Sequence, residues 1–415
     1  MSDFERAATA AGTLAGPPAG DGYPSRAVVD LAAIRANVVE LARRAGSAEV
    51  MAVVKADAYG HGLVPSARAA LAGGATWLGV AQASEALALR AAGVGPDDAR
   101  VLAWLLVPGS PFADLVAADV DVSLAASWAV DEVVAAARTT GRTARVHVEV
   151  ETGLGRGGVV PADLDGLLAA LRSAEAEGAL RVVGVWSHLA LADVPGDPVN
   201  DLQRRSFDEA VARVERAGCV LEVRHLANSA ATVTAPGLHY DLVRPGIAVY
   251  GLSPVPELAS AHDLGLVPAM TLEARLALVK PVAAGQGVSY GHLYTTERAT
   301  RLGVVPLGYG DGIPRHASGG SAGPGGPLLV GTGDGARLLR VAGRVCMDQV
   351  VVDLGPDASE RAGDVVRLFG PDAAGPTAQD WADAAGTISY EITTRLGARV
   401  PRVHVGAPTG GTDPA

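Results

Sequence analysis

Eight short runs of apolar, mostly β-branched residues alternate with longer helical patterns between about residues 28 and 251. In chain order the runs are VMAVVK, WLGVA, VLAWLLV, VDVSL, RVHVEV, VVGVWSHL, VRHLANS and DLVRPG. Strands that alternate with helices are typical of βα units around a parallel sheet. Eight such units over roughly 230 residues favour a (β/α)8 barrel over an open doubly wound sheet. No GxGxxG motif follows the first run, which weakens a dinucleotide-binding interpretation.

The helical stretches carry their own start and stop signals. In LAAIRANVVELARRAG, Asp30 is placed to cap the helix and Gly46 to end it. In PADLDGLLAALRSAEAEG, Pro161 lies near the start.

From about Met270 the pattern changes to successive strands with Gly and Pro turns. The sequence therefore predicts a barrel over residues 26–265 and a mainly β domain over 266–406. Residues 1–25 are expected to be a disordered tail and 407–415 a flexible one. The segment HASGGSAGPGGP (316–327) has a composition that we expect cannot support packing, so no structure is assigned to it.

Composition excludes several classes of function. The net charge of −11 leaves no basic stripe for a nucleic acid. No run of 18 apolar residues predicts a membrane span, and the first residues lack a signal-peptide pattern, so we expect a cytoplasmic protein. Cys219 and Cys346 lie far apart, and the nine histidines form no ligand motif, so neither a disulfide framework nor a metal site is expected.

Only two lysines are present, Lys55 and Lys280. Lys55 closes the first apolar run, where burial lowers the pKa of an amine and frees it for Schiff-base chemistry. Other polar residues follow later runs, where the chemistry of barrel enzymes is placed; they are Arg156, His188, Asn228, Ser229 and Arg244. Each alone is often structural, but their joint placement at one rim predicts a site.

Asn228 and Ser229 open a helix, and Gly246 and Ile247 lie at the end of the eighth run. Backbone N–H groups at these two places favour an anion site, suited to a phosphate, between strands seven and eight. An ordinary N-cap serine is the alternative.

Long motifs along the whole chain resemble those of bacterial alanine racemase. In the barrel they are VVKADAYGHG, ETGLGRGG, WSHLALAD, HLANSAA and VRPGIAVYGLSP; beyond it they are VSYGHLY, PLGYGDGIPR, GRVCMDQ and ISYEITTRLGARVPR. The resemblance covers about residues 25 to 405 in order. It implies an enzyme that uses pyridoxal 5′-phosphate to interconvert L-alanine and D-alanine, supplying D-alanine for peptidoglycan.

The resemblance also implies roles for residues. Lys55 would bind the cofactor covalently, Arg244 would face its pyridine nitrogen, and Arg156 would contact the pyridoxal oxygen and the substrate carboxylate. Further cofactor-binding residues would be Tyr59, His188, Asn228, Ser229, Gly246, Ile247 and Tyr390. Met347 and Tyr309 would contact the substrate, with Asp348 in support. Tyr309 and Tyr290 near the entrance would favour a small amino acid.

Racemisation removes a proton from one face of Cα and returns one on the other, so two bases serve better than one. The resemblance implies Lys55 and Tyr290, with Tyr290 and Met347 supplied by the partner in a head-to-tail homodimer. An unperturbed tyrosine has a pKa of about 10, so its phenolate needs stabilisation, which we expect from a hydrogen-bonded chain of His188 and Arg244. Arg244 cannot protonate the pyridine nitrogen, which weakens the ring as an electron sink.

One departure from the family stands out. A lysine, often carbamylated, usually lies seven positions before the arginine that matches Arg156; here the residue is Glu149, and Glu151 replaces a usual aspartate. The alternation in RVHVEVE puts His147, Glu149 and Glu151 on one face of the strand, towards the barrel interior. We hypothesise that Glu149 supplies the negative charge that orients Arg156. A solvated glutamate at a tolerant strand end is the alternative.

Three other interpretations stay open from the sequence. A racemase of another small amino acid, such as serine, is one of them, because substrate selectivity depends on the volume of a pocket whose loops the sequence does not place. A non-catalytic single-barrel PLP-binding protein would keep the lysine but lack the second domain. Tyr290 and GRVCMDQ argue against the single barrel. A related barrel decarboxylase or aldolase would share the cofactor site, but Tyr290 within VSYG disfavours it.

Overall fold

The computed structural model describes residues 23–331, 333–371 and 375–406. Its first part is a nearly closed barrel of eight parallel strands. They are β2 (Glu49–Val53), β3 (Trp77–Val80), β4 (Arg100–Ala103), β5 (Asp121–Leu124), β6 (Ala144–Glu149), β7 (Leu180–Trp186), β8 (Val223–His225) and β9 (Leu242–Val243). Hydrogen bonds join them in the order β8-β7-β6-β5-β4-β3-β2-β9. The gap between β8 and β9 is bridged beyond their ends by Asn228 and Arg244. The predicted barrel is confirmed.

Helices cover the outside of this barrel and bury their apolar faces against the strands. The described helices of the first part are α1 (Leu31–Ala45), α2 (Leu63–Ala72), α3 (Ala83–Ala91), α4 (Phe112–Ala117), α5 (Ser127–Thr140), α6 (Leu164–Ala176), α7 (Pro198–Arg216) and α8 (Ser229–Thr234). Helix α1 begins and ends as predicted. The Asp30 carboxylate accepts hydrogen bonds from the N–H groups of Ala32 and Ala33, and Gly46 ends the helix with φ of 67°.

The second part is mainly β, also as predicted. Its strands are β1 (Ser25–Asp30), β10 (Met270–Arg275), β11 (Leu278–Val282), β12 (Gly287–Val288), β13 (Tyr294–Thr295), β14 (Thr300–Val305), β15 (Gly319–Gly320), β16 (Gly323–Pro324), β17 (Pro327–Val330), β18 (Arg337–Arg340), β19 (Val350–Asp353), β20 (Val365–Phe369) and β21 (Arg402–Val405). The largest sheet has six strands in the order β18-β17-β20-β10-β1-β21, and a three-stranded sheet has the order β11-β14-β19. Two helices, α9 (Ala378–Ala385) and α10 (Ser389–Thr394), complete this part.

Strand β1 ties the two parts together. It precedes the barrel in sequence, yet it pairs antiparallel with β10 and parallel with β21, which both belong to the second part. Val29, between these two partners, is fully buried. Most of the predicted tails, residues 1–22 and 407–415, lies outside the described residues.

The expectation that residues 316–327 cannot pack is wrong. Strands β15 and β16 form a small ribbon there, and Ala317 is fully buried. A side chain on Gly326 would overlap the ring of Trp381, and one on Gly319 would overlap the carbonyl of Val341. The glycines therefore allow close backbone approach, a use of glycine that composition alone does not distinguish from disorder.

A left-handed turn follows β2. Ala56, Asp57, Ala58 and Tyr59 all have φ between 53° and 55°, a conformation that costs roughly 1–2 kcal/mol per L-residue. The turn directly follows Lys55 and ends at Tyr59, which is buried. We refer to these four residues as the left-handed turn.

In the part of the chain that the structure describes, no helix combines the length and apolar character needed to cross a membrane. The same residues contain no group of three or more His, Cys, Asp or Glu side chains placed to hold a metal ion.

Candidate active site

The site is centred on Lys55, which follows β2 at the carboxyl end of the barrel strands. Its Nζ lies 5.7 Å from the centre of the Trp104 ring. Burial lowers the pKa of the Lys55 amine, with further lowering by Arg156 and Arg244 and an opposing contribution from Glu85. A less basic amine is a better nucleophile and proton acceptor near neutral pH. The other lysine, Lys280, is exposed on β11 in the second domain.

Backbone and hydroxyl groups from three loops form a cradle at the same rim. Ser229 Oγ accepts hydrogen bonds from the N–H groups of Gly246 (2.7 Å) and Ala248 (3.4 Å). The hydroxyl of Tyr59 lies against Gly246, where any side chain would overlap it. Burial raises the pKa of Tyr59, so its phenol remains a neutral hydrogen-bond donor. The predicted anion-site residues Ser229, Gly246 and Tyr59 are therefore together.

The alternative interpretation, in which Ser229 is an ordinary helix N-cap, is wrong, because the N-cap is Asn228. Asn228 Oδ1 accepts the N–H of Ala231 and caps α8, while Ser229 turns to the β9 loop. Ile247 is fully buried beside Gly246. The Tyr390 ring lies 6.1 Å from that of Tyr59, which brings α10 of the second domain to the cradle.

Arg244 is buried at the base of the site, 5% exposed. Its Nη2 donates to the carbonyl of Ser187 (2.7 Å) and meets Nδ1 of His188 at 3.3 Å. Its Nη1 meets Nδ1 of His225 at 3.3 Å, and the guanidinium lies 5.0 Å over the Trp186 ring. The predicted pair of Arg244 and His188 is therefore present.

A buried chain of hydrogen bonds continues from Arg244 through the barrel interior. His225 Nε2 lies 2.9 Å from His147 Nδ1, and His147 Nε2 lies 3.1 Å from the Asp121 carboxylate. Burial opposes the charge of Asp121, but His147 and Arg145 together lower its pKa. Burial strongly lowers the pKa of His225, and its Nδ1 faces a guanidinium that can only donate, so Nδ1 accepts and the proton lies on Nε2. His225 Nε2 therefore donates to His147 Nδ1, and His147 Nε2 donates to the Asp121 carboxylate.

The same reasoning fixes the proton on His188. Burial first, then the charges of Arg244, Arg156 and Lys55, lower the pKa of His188 to about 3. The imidazole is neutral, and its Nδ1 accepts from a guanidinium that can only donate. The proton of His188 therefore lies on Nε2, where it can be donated to a further group.

Glu149 is half-buried at the end of β6, on the same strand face as His147, as the alternation predicts. Burial raises the pKa of its carboxyl, while Arg156 and then Arg244 oppose the rise. Among the described residues no direct ion pair joins Glu149 to the exposed Arg156. The Glu149 carboxylate lies instead against the residue after Arg156: a Cβ atom on Gly157 would be 3.0 Å from Glu149 Oε1.

Glu151 shapes the loop that carries Arg156. Its carboxylate accepts hydrogen bonds from the N–H groups of Gly153 and Gly155. Burial disfavours the ionised form of Glu151, but the backbone hydrogen bonds from Gly153, Gly155, Leu154 and Arg156 favour it. The net effect is a lowered pKa of the Glu151 carboxyl.

The remaining predicted residues form a second group on the β domain. Ser289 Oγ donates to the carbonyl of Arg344 (2.7 Å), which fixes the Tyr290 turn to the GRVCMDQ loop. The N–H of Tyr309 donates to Cys346 and that of Gly310 to Met347. Tyr290, Met347 and Tyr309 are 72%, 53% and 43% exposed. Asp348 pairs with Arg399 at 2.8 Å. We call Tyr290, Tyr309, Met347 and Asp348 the β-domain face.

Several residues of the site were not singled out from the sequence. They are Trp104, Asp121, Trp186, His225 and Glu85. The period-two alternation of side chains that placed His147 inside the barrel also applies to the VRH strand. Applied there, it would have placed His225 inside the barrel as well. Trp104 and Glu85 lie outside the strands, where this rule gives no placement.

A barrel with a second, mainly β domain and a buried lysine amine at its mouth is the architecture of a two-domain barrel enzyme. Family models agree with this class: "Alanine racemase, N-terminal domain" matches residues 29–254, and "Alanine racemase, C-terminal domain" matches residues 269–404. Together they span most of the chain.

Similar proteins cover nearly the same length. An alanine racemase from Beutenbergia cavernae is 62% identical over 385 residues, 92% of this chain and 98% of that protein. The structure of an alanine racemase from Streptomyces coelicolor is 58% identical with a TM-score of 0.88, over 92% and 98% of the two chains. That of a Streptomyces lavendulae alanine racemase is 54% identical with a TM-score of 0.88, over 92% and 97%.

The chain belongs to the alanine racemase family and is accordingly an enzyme, an amino acid isomerase. The resemblance inferred from the motifs is thereby confirmed. Neither the single-barrel PLP-binding protein nor a barrel decarboxylase is favoured by these relationships.

Proposed function

We propose that the protein interconverts L-alanine and D-alanine with bound pyridoxal 5′-phosphate, acting in the cytoplasm to supply D-alanine for peptidoglycan. The observation that carries this proposal is the joint placement of Lys55, the cradle of Tyr59, Ser229 and Gly246, and Arg244 at one rim of the barrel. These groups match the aldehyde, the phosphate and the ring nitrogen of that cofactor, respectively.

The residues present fit the cofactor. Gly246 has no side chain, so the Tyr59 hydroxyl can lie directly against its backbone, beside the Ser229 hydroxyl that accepts the Gly246 N–H. Ser229, Ile247, Asn228 and Tyr390 would complete the phosphate site. The described contacts of Arg244 use three of its five N–H groups, which leaves donors for a ring nitrogen. When bound, the cofactor acidifies the Cα–H of an amino acid attached to it.

The chain supplies the proton transfers. Lys55, with its lowered pKa, takes or returns a proton at Cα on one face, and Tyr290 does so on the other. His188 is held neutral with its proton on Nε2, which suits it to donate a hydrogen bond to the Tyr290 oxygen when that oxygen is charged. Arg244 in turn donates to His188 and orients it.

Arg156 is proposed to bind the substrate carboxylate, with Met347 and Tyr309 beside it and Asp348 holding Arg399 in support. Glu149 is proposed to replace the carbamylated lysine of the family. Its carboxylate packs on Gly157 and lies close enough to Arg156 for that charge to favour its ionised form. A bridging water would complete the link without a direct ion pair.

The β-domain face is proposed to enter the barrel mouth of a second subunit in a head-to-tail homodimer. Tyr290, Tyr309 and Met347 are large and exposed, and hydrogen bonds join the loops that carry them, a combination typical of interaction surfaces. In a twofold dimer the same contact occurs twice, so each active site would use groups of both chains.

Borohydride reduction of the holoenzyme followed by peptide mapping tests the cofactor assignment. We expect the label on Lys55, and a label on Lys280 instead would contradict the proposal. In parallel, racemisation of alanine, serine, lysine and glutamate is measured on the same preparation. The highest kcat/KM is expected for alanine; a higher value for serine would replace the substrate but keep the mechanism.

A further inference from the structure

The left-handed turn is held from the barrel side by Glu85 and His61. Glu85 Oε1 accepts the N–H of Ala56 (2.6 Å). His61 Nδ1 donates to the carbonyls of Ala58 and Tyr59, both at 3.0 Å. Within the turn, the N–H of Ala58 donates to Val54 (2.8 Å). These contacts fix the inner side of the turn.

Gly60 and His61, which directly follow the turn, are held by the last strand of the second domain. Arg402 Nε donates to the carbonyl of Gly60 (2.9 Å), while its Nη groups donate to the carbonyls of Leu396, Gly397 and Val400, each at 2.7 Å. His404 Nε2 donates to the carbonyl of His61 at 2.8 Å. Arg402 thus uses its donors on backbone carbonyls of both domains.

The chain makes room for this contact at two glycines. A side chain on Gly60 would overlap the carbonyl of Thr393 in α10. One on Gly62 would place its Cβ 2.7 Å from His404 Nε2. Both glycines have positive φ, 82° and 95°. The second domain therefore packs directly on the backbone that leaves the left-handed turn.

We propose that Arg402 and His404 are positioning residues, which hold the left-handed turn and thereby place the Tyr59 hydroxyl and Lys55 for the cofactor. Four consecutive left-handed L-residues are unfavourable by themselves, so the turn persists only where its surroundings over-determine it. Without this clamp of Arg402 and His404 the turn relaxes, and the Tyr59 hydroxyl leaves Gly246. The cofactor part of this inference rests on the proposed function.

The test compares Arg402→Met and His404→Leu with the conservative Arg402→Lys and His404→Gln. Arg90→Met is the matched control, because the Arg90 guanidinium also donates to four backbone carbonyls, those of Val94, Ala99, Ala118 and Asp119. Val94 and Ala99 precede β4, and Ala118 and Asp119 precede β5, so Arg90 lies at the rim opposite the site.

Two quantities are measured on each holoenzyme: hydrogen exchange of the Ala58 and Gly62 amides, and the equilibrium dissociation constant for pyridoxal 5′-phosphate. We expect both removal variants to raise the exchange rate and the dissociation constant about tenfold. The conservative variants should recover part of both effects. Arg90→Met should change neither quantity.

Unchanged exchange at these amides would overturn the proposal, and so would faster exchange with unchanged affinity, since the clamp would then be structural only. If Arg402→Met does not fold, His404→Leu decides the question by the same two measurements. If the wild-type protein itself bound no cofactor, the proposed function would fail, while the exchange rates would still judge the clamp.

Discussion

The barrel mouth and the β-domain face are built in opposite ways. At the mouth, Arg244 and Ser229 are buried and hydrogen-bonded within their own chain. On the face, Tyr290 and Met347 are more than half exposed, and the contacts that hold them are made by backbone and by neighbouring loops. The difference teaches that one chain builds the barrel mouth by its own buried contacts, whereas the β-domain face presents Tyr290, the proposed second base, on an exposed surface.

The largest effect is expected at the exposed half. Tyr290→Phe removes the proposed second base without altering the packing of its turn, so we expect kcat to fall by roughly 10²–10⁴-fold. The cofactor affinity should remain within about twofold, because the barrel mouth is intact. Tyr23→Phe, a second exposed tyrosine, is the control and should leave kcat unchanged. If Tyr290→Phe kept wild-type turnover, the face would have no part in the chemistry.

A smaller effect is expected inside the mouth. Glu149→Gln keeps the shape of the side chain but removes its charge, and we expect kcat/KM to fall by about tenfold because Arg156 loses its orienting partner. Depletion of bicarbonate should not affect the wild-type enzyme, since no carbamate is needed. Glu209→Gln, exposed on α7, serves as the control. Equal kinetics for Glu149→Gln and wild type would refute the role of the charge.

The smallest effect is expected in the pH dependence of the free energy of unfolding. It distinguishes buried histidines from exposed ones. Burial lowers the pKa of His61 to about 4 and of His188 to about 3, and lowers that of His225 strongly. As the pH falls from 6.5 to 4, the unfolded chain therefore binds more protons than the folded one, and the free energy of unfolding decreases. Each such histidine contributes about 1.4 kcal/mol per pH unit at most.

Urea unfolding across this pH range measures the effect. His61→Asn should make the dependence on pH shallower, whereas His262→Asn, at an exposed position, should not change it. A dependence that stays equally steep in His61→Asn would show that His61 is not buried in its neutral form.

The eight barrel strands could be predicted because each is a short apolar run between helices, and the residues at their ends inherit their placement from the barrel. The partners of Arg244 could be predicted only in part. His188 follows a strand in a recognisable motif, but the pairing of His225 with His147 joins side chains 78 positions apart. Only the closed barrel brings them together.

The left-handed turn could not be predicted. Of its residues Ala56, Asp57, Ala58 and Tyr59, only Asp57 is of a type that adopts positive φ at all often, and such residues do so singly rather than four in succession. Its conformation is imposed by contacts from Glu85, His61 and Arg402, the last of which is 342 positions from Gly60. The packing of residues 316–327 was missed for a similar reason, since partners that enclose its glycines are distant in sequence.

The central claim is that each active site combines the barrel mouth of one subunit with the β-domain face of another. Mixing a Lys55→Ala variant with a Tyr290→Ala variant tests it, with heterodimer formation verified by native mass spectrometry. Each variant alone should be inactive. Random exchange of subunits makes about half of the dimers heterodimers. Each heterodimer has one intact active site out of two, so about a quarter of the wild-type activity should return. Heterodimers that form in full yet recover no activity would contradict a shared site.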